Sequence, residues 1–265
     1  LSRHMRVPSR ARSLSTLLLL ALLLGGCSAG GWFVDLFKQR PTPLPPASEL
    51  YAAGVTEMNK KRYEEARLQF RKVVERHPQS TYAPKAKFLI GEAFYRESEF
   101  DKAIKEFEGF LAFFPRHEIS DLAQYRLAMS YYDQMKPGEQ DQSITARAIE
   151  QFKKLVREYP DSRYASDALA KIDVCRGRLA QKELWVASYY LNQGNIVAAR
   201  QRLEVVLKDY PRTLVVPEAL FRLGEVAAME GKSDESRARF ERLAGEFPYT
   251  EWGRRAAQRL KTAAR

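Results

Sequence analysis

Side chains able to make or break bonds are sparse in this chain. It holds two cysteines, Cys27 and Cys175, and three histidines, His4, His77 and His117. No His, Cys, Asp and Glu group has metal-ligand spacing. No glycine-rich phosphate loop, serine elbow or Cys/His pairing is visible. His77 and His117 sit in turns beside Pro78 and Pro115. Carboxylates are plentiful, yet they alternate with Lys and Arg as on solvated helix faces, not as paired acid and base. Cys175 lies near Ile172 and Leu179 on a helical stretch, so it reads as a small buried apolar side chain. These residues point to a non-enzyme with no metal and no cofactor. Cys27 is different. It follows Arg3, Arg6, Arg10 and Arg12 and an apolar run from Leu14 to Leu24, shorter than the ~20 residues that span a bilayer.

Leu24-Gly25-Gly26-Cys27 resembles the bacterial lipobox. That resemblance implies cleavage on the amino side of Cys27, lipidation of Cys27, and, with Ser28 rather than aspartate next, an outer-membrane destination. Residues 1–26 then form a lipoprotein signal peptide, with Leu1 an unusual start codon or Met5 the alternative. Residues 27–48 form a tether. In it Trp32, Phe33, Leu36 and Phe37 suit a membrane interface, and Pro41, Pro43, Pro45 and Pro46 make a stiff spacer at ~3.1 Å per residue. The whole chain carries +11; without the four presequence arginines, 40 basic residues face 33 acidic ones, leaving +7. The charge is spread rather than concentrated, which argues against nucleic acid.

The elements that follow are helices in a fixed rhythm. In Phe100–Pro115, Phe100, Ala103, Phe107 and Phe110/Leu111 line one face, and Asp101, Lys102, Lys105, Glu106 and Glu108 fill the other. The large apolar position recurs as Phe70, Phe107, Phe152, Leu203 and Phe240. Four residues earlier stand Ala66, Ala103, Ala148, Ala199 and Ser236. Eight residues later stand Pro78, Pro115, Pro160, Pro211 and Pro248. A partner helix precedes each, with Gly54, Gly91, Ala128, Ala187 or Gly224 where two helices must approach closely. Phe94, Tyr131 and Tyr190, three residues on from the small residue, would pack against the partner. Repetition at this period predicts a solenoid. Ile90, Gly91, Phe94, Ala103, Phe107 and Pro115 match a pattern similar to the tetratricopeptide repeat.

The fold predicted is all-α: an α-solenoid of five tetratricopeptide-like helix pairs, with an extended helix in the fourth repeat. Residues 49–160 hold repeats 1–3 and residues 161–265 hold repeats 4–5 and a capping helix, Glu251–Ala264. The third repeat is lengthened by a polar loop, Lys136–Ser143. The fourth lacks a breaker between Tyr164 and Asn192, which predicts one helix of about 29 residues or ~43 Å. Gln193-Gly194-Asn195 stops it.

Further runs carry a narrower resemblance. These are Phe152–Val156, Tyr159–Tyr164, Arg178-Leu179-Ala180, Glu183, Val186-Ala187, Tyr189-Tyr190, Gly194, Val205–Pro211 and Glu218-Ala219-Leu220. With the lipobox and the long helix, they resemble the BamD family, lipoproteins of the machinery that assembles outer-membrane β-barrels. The resemblance implies a lipid-anchored scaffold on the periplasmic face of the outer membrane. In the first repeats a groove would take an extended signal of unfolded outer-membrane protein substrates, with Tyr51, Lys85, Phe88, Tyr95, Tyr125 and Arg126 as candidates. Repeats 4 and 5 would dock the central barrel-assembly protein, with Arg202 at the matching helix position. Other assembly lipoproteins would be further partners. The alternatives are a periplasmic adaptor for cell-envelope or division proteins, or an envelope enzyme with cryptic paired carboxylates.

Overall fold

Prolines set where alternate helices end. The structure, a computed structural model, describes residues 44–263. The segment read as a signal peptide, Cys27, the Trp32–Phe37 cluster, Pro41 and Pro43 lie outside the described residues. The helices are α1 (Ala47–Asn59), α2 (Tyr63–Arg76), α3 (Tyr82–Arg96), α4 (Phe100–Phe113), α5 (Ser120–Tyr132), α6 (Ser143–Glu158), α7 (Ala165–Asn192), α8 (Ile196–Asp209), α9 (Val216–Met229), α10 (Ser233–Glu246) and α11 (Glu251–Ala263). Among the described residues there is no strand. Helices α2, α4, α6, α8 and α10 each stop two residues before one of the five repeat prolines. The residue between is excluded from helical backbone by the proline ring. Its φ lies between −127° and −133° in all five cases. Its N–H still closes the last turn, onto the carbonyls of Val73, Phe110, Leu155, Val206 and Leu243.

The turns inside the pairs are equally regular. Lys61, Ser98, Gly194 and Gly231 all have positive φ (60°, 60°, 72° and 74°), and each stands five residues before its repeat's small residue. A left-handed residue there reverses the chain in the fewest steps. The third pair departs from this, because its longer loop between α5 and α6 makes the reversal instead.

Each helix packs on the next in sequence, and α1 also meets α3, α3 meets α5, and α9 meets α11. This is the tetratricopeptide-like α-solenoid that the repeat predicts. The close contact within a pair is a glycine against a ring. A Cβ built on Gly54 would lie 2.4 Å from Phe70, one on Gly91 2.8 Å from Phe107, and one on Gly224 2.6 Å from Phe240. The fourth pair has Ala187 and Leu203 at these positions, both fully buried. A smaller apolar side chain leaves room for the methyl group. Where serine replaces the repeat alanine, Ser236 Oγ donates to the Gly224 carbonyl at 2.8 Å, so the buried hydroxyl is satisfied.

Helix α7 runs 28 residues, Ala165–Asn192, close to the length expected. It serves two apolar cores. Ala168, Ile172 and Cys175 belong to the first, with α1–α6. Ala180, Leu184 and Ala187 belong to the second, with α8–α11. The cores therefore divide within α7, later in the chain than the 160/161 division read from the sequence. Gly177 lies between them, with nothing within 4 Å of where its Cβ would be.

The ring contact gives a double-mutant test. Gly91→Ala should destabilise by about 1 kcal/mol, since overpacking costs ~1–3 kcal/mol and better helix propensity returns ~1 kcal/mol. Combined with Phe107→Leu, it should cost less than the two single changes summed, because the pair then copies Ala187 and Leu203. Urea denaturation measures all three; strict additivity would contradict the contact.

Candidate functional site

Alternate helices meet along one face, α1 on α3 and α3 on α5. On that face polar and aromatic side chains tie each odd helix to the next. Tyr51 of α1 lies 5.1 Å from the ring of Tyr82 on α3 and 5.8 Å from Phe70. The Tyr95 hydroxyl of α3 donates to Asp133 at the end of α5. Glu92 of α3 is buried between two arginines: Arg96 Nε at 3.0 Å and Arg126 Nε of α5 at 2.8 Å, the latter an ion pair rather than a linear hydrogen bond. The Arg126 guanidinium also sits 5.1 Å over the Tyr95 ring. The Tyr125 hydroxyl of α5 donates to Asp167 of α7 at 2.7 Å, and its ring stacks on Tyr164 at 4.7 Å. Two arginines share this buried carboxylate, so removing one leaves it paired to the other, and only removing both leaves it an uncompensated buried charge.

The structure brings five of the six groove candidates to this face or its margin. Tyr51, Tyr95, Tyr125 and Arg126 form the bridges just described. Lys85 reaches Glu118, before α5, at 2.8 Å, with both side chains well exposed. Phe88 is the correction. It is 7% exposed and packs on Phe107 at 5.6 Å and Phe110 at 6.2 Å, so it belongs to the core and offers nothing to a ligand. Its position in the helix put it with the others by spacing, but it points toward α4. Arg202 of α8 is half-exposed and bonds Glu183 of α7 at 3.2 Å.

Local chemistry shifts several of these groups. Burial, then the hydrogen bond to Asp133, holds the Tyr95 phenol well above its ordinary range. Burial and the bond to Asp167 do the same for Tyr125. The hydrogen bond from Lys85 lowers Glu118, and the same bond raises Lys85. Cys175 is fully buried, 3.5 Å from Met135 Sδ, and desolvation pushes its thiol up to about 11. It is a packing residue, not a nucleophile. Among the described residues, no cluster of three or more His, Cys, Asp or Glu could hold a metal ion.

Residue spacing alone left two bridges unnoticed. Arg67 pairs with Glu97 and stacks 4.2 Å over Phe94. Arg200 grips Glu230 through two nitrogens, at 3.2 and 2.6 Å, and Glu235 at 2.6 Å. The hydrogen bond from Arg200 holds Glu230 below the usual carboxylate range, with Lys232 adding to it, and the bond from Arg200 also lowers Glu235. Both arginines follow the repeat's small residue directly, and both glutamates cap the next odd helix. Their common separation was the signal that could have revealed them.

A family profile described as outer membrane lipoprotein, YfiO, matches residues 44–238. A Rickettsia prowazekii (strain Madrid E) protein named outer membrane protein assembly factor BamD is 30% identical over 239 residues, covering 90% of this chain and 92% of that protein. A Caulobacter vibrioides protein of the same name is 30% identical over 235 residues, covering 88% of this chain and 75% of that one. Among solved structures, a yeast Sti1 TPR2AB domain is similar at a TM-score of 0.44 and 13% identity, covering 82% of this chain and 84% of that one.

The phenols give a pH test with a definite sign. Tyr95 and Tyr125 are raised in the fold, so the unfolded chain loses those protons first, near pH 10. Their contribution is complete below about pH 10 and is lost as pH rises beyond it. The Tyr95→Phe, Tyr125→Phe double variant should be slightly less stable at pH 8, by about 0.5–1 kcal/mol per lost hydrogen bond. It should then lose stability less steeply than the parent from pH ~9 to ~11. Parallel curves in denaturant titrations would contradict these bonds.

Proposed function

Because the chain belongs to the YfiO family of outer-membrane lipoproteins, we propose that it is an assembly factor for outer-membrane proteins, acting as a scaffold and not as a catalyst. Lipidated at Cys27, it hangs from the outer membrane on the periplasmic side. The odd-helix face of the first repeats takes an extended segment of an unfolded barrel substrate. Arg202 and its neighbours in repeats 4 and 5 dock the central barrel-assembly protein, with further assembly lipoproteins in the same complex. The observation that carries this reading is the face made by α1, α3 and α5 in a chain of this family. Rigid helices there present tyrosines and charged groups side by side, the mixture that holds a strand-like peptide by stacking and hydrogen bonds. Aromatic and ion-pair bridges fix that face before a ligand arrives, which lowers the cost of ordering on binding. No helix among the described residues is long and apolar enough to cross a membrane. Attachment in this reading comes from the lipid on Cys27.

Depletion of the protein tests the central claim. Many outer-membrane barrel proteins should fall together, measured by quantitative proteomics of the outer membrane; unchanged barrel levels would reject the assignment. Two substitutions test its parts. Cys27→Ser should leave the protein unlipidated and released from membranes on fractionation. Arg202→Glu should abolish co-purification of the central assembly protein, while the loss of one exposed ion pair changes stability by less than about 1 kcal/mol.

A further inference from the structure

A cleft of about 460 Å³ opens between the α5–α6 loop, α7 and α9, and neither the groove candidates nor Arg202 line it. Its walls include Pro137 and Glu139 of the α5–α6 loop, Arg178 and Trp185 of α7, and Glu218 and Arg222 of α9. The loop wall is firmly built. Gln142, 8% exposed, donates from Nε2 to the carbonyls of Pro137 at 2.7 Å and Gln140 at 3.2 Å. The buried Thr145 hydroxyl donates to Gln142 Oε1 at 2.7 Å. Lys182 Nζ donates to the Glu139 carbonyl at 3.0 Å, pinning the loop to α7. Gly138 lies so close to α7 that a Cβ there would be 3.0 Å from that of Gln181. On the opposite wall Arg222 bonds Glu218 through two nitrogens, at 2.9 and 2.6 Å, and neutralises it.

Arg178 is the exception among sheltered arginines. Six arginines among the described residues are buried or half-buried: Arg67, Arg126, Arg178, Arg200, Arg222 and Arg239. Five have a carboxylate within ion-pair distance. Arg178 has none, although it lines a cleft beside Trp185, which is 45% exposed. With Glu218 held by Arg222, Arg178 is the lining cation left to take a negative group, while Lys182, bonded to the Glu139 carbonyl, lies outside the lining.

We propose that this cleft docks an extended segment of a partner protein carrying an aspartate or glutamate beside an apolar residue. Arg178 takes the carboxylate through a charge-assisted hydrogen bond, and the exposed Trp185 ring takes the apolar side chain. The carboxylate is a side chain rather than a chain end. Most of the lining comes from helix interiors, whose backbone N–H groups are already bonded, and a chain terminus is captured by a nest of free ones. The site stands independently of the function proposed above, since it uses none of the same residues.

The probe is a fluorescein-labelled hexapeptide, Gly-Ser-Phe-Asp-Ser-Gly-amide, titrated by anisotropy with the full chain in detergent. Saturable binding is expected, about tenfold weaker when the peptide's Asp becomes Asn. Arg178→Gln should bring the Asp peptide down to the Asn peptide's level, Arg178→Lys should retain part of the difference, and Trp185→Ala should weaken both peptides. Unchanged melting curves for these variants show that the fold is intact. No saturable binding, equal binding of the Asp and Asn peptides, or an Arg178→Gln effect below twofold overturns the proposal. A peptide whose sole carboxylate is its chain end tests the other source of the same charge; if it binds more tightly than the Asp peptide, the assignment to an internal segment falls.

Discussion

The contact between a phenylalanine ring and the bare backbone of the preceding helix governs this array. Gly54, Gly91 and Gly224 let Phe70, Phe107 and Phe240 lie against helix backbone at a distance no Cβ would permit. That approach fixes the spacing within these three pairs, where glycine and ring stand 16 residues apart. Stacking equal units then follows, because each pair can hide its remaining apolar face only on the next. The pair with Leu203 tolerates Ala187 at the same place. The third pair has Ala128 with Phe152, both fully buried, so glycine as such is not required at the crossing.

Polar bridges act at a different level. The backbone of the solenoid is set by small residues, rings and prolines; the bridges decide what its surface presents. Glu92 between Arg96 and Arg126, Tyr95 on Asp133, and Tyr125 on Asp167 each join one odd helix to the next. Such groups add modestly to stability in exposed settings. What they do is hold planar rings and guanidinium groups still. A face built this way has less left to order in any contact it makes than one of loose long side chains.

Most of the architecture was legible before any coordinates, and the reason is physical. Proline at a fixed offset excludes helical backbone from the residue before it, so Pro78, Pro115, Pro160, Pro211 and Pro248 announced five helix ends. The absence of any breaker from Tyr164 to Asn192 announced the long helix. The site was less legible. Spacing along one helix places Phe88 near Tyr95 and Lys85, but only the packing of α4 shows that Phe88 turns into the core. Bridges such as Arg200 with Glu230 join residues a whole repeat apart, and a reading confined to one helix at a time cannot see them. Cys27 and the tether rest on the sequence and the lipobox resemblance alone.

Helix α7 carries one further implication. Its buried positions run Ala168, Ile172, Cys175 and then Ala180, Leu184, Ala187. At 100° per residue these two triplets lie on stripes separated by roughly 120° around the rod. The earlier and later helices therefore grip the same rod from different sides, and the five-residue step from Cys175 to Ala180 sets the dihedral angle between them. Deleting a single residue in that step would swing one set of helices by roughly 100° and slide it by ~1.5 Å, breaking the contacts of the α5–α6 loop with Gln181 and Lys182 that cross the step. In this chain, register within one short stretch of helix acts as the angular setting between two gripping surfaces.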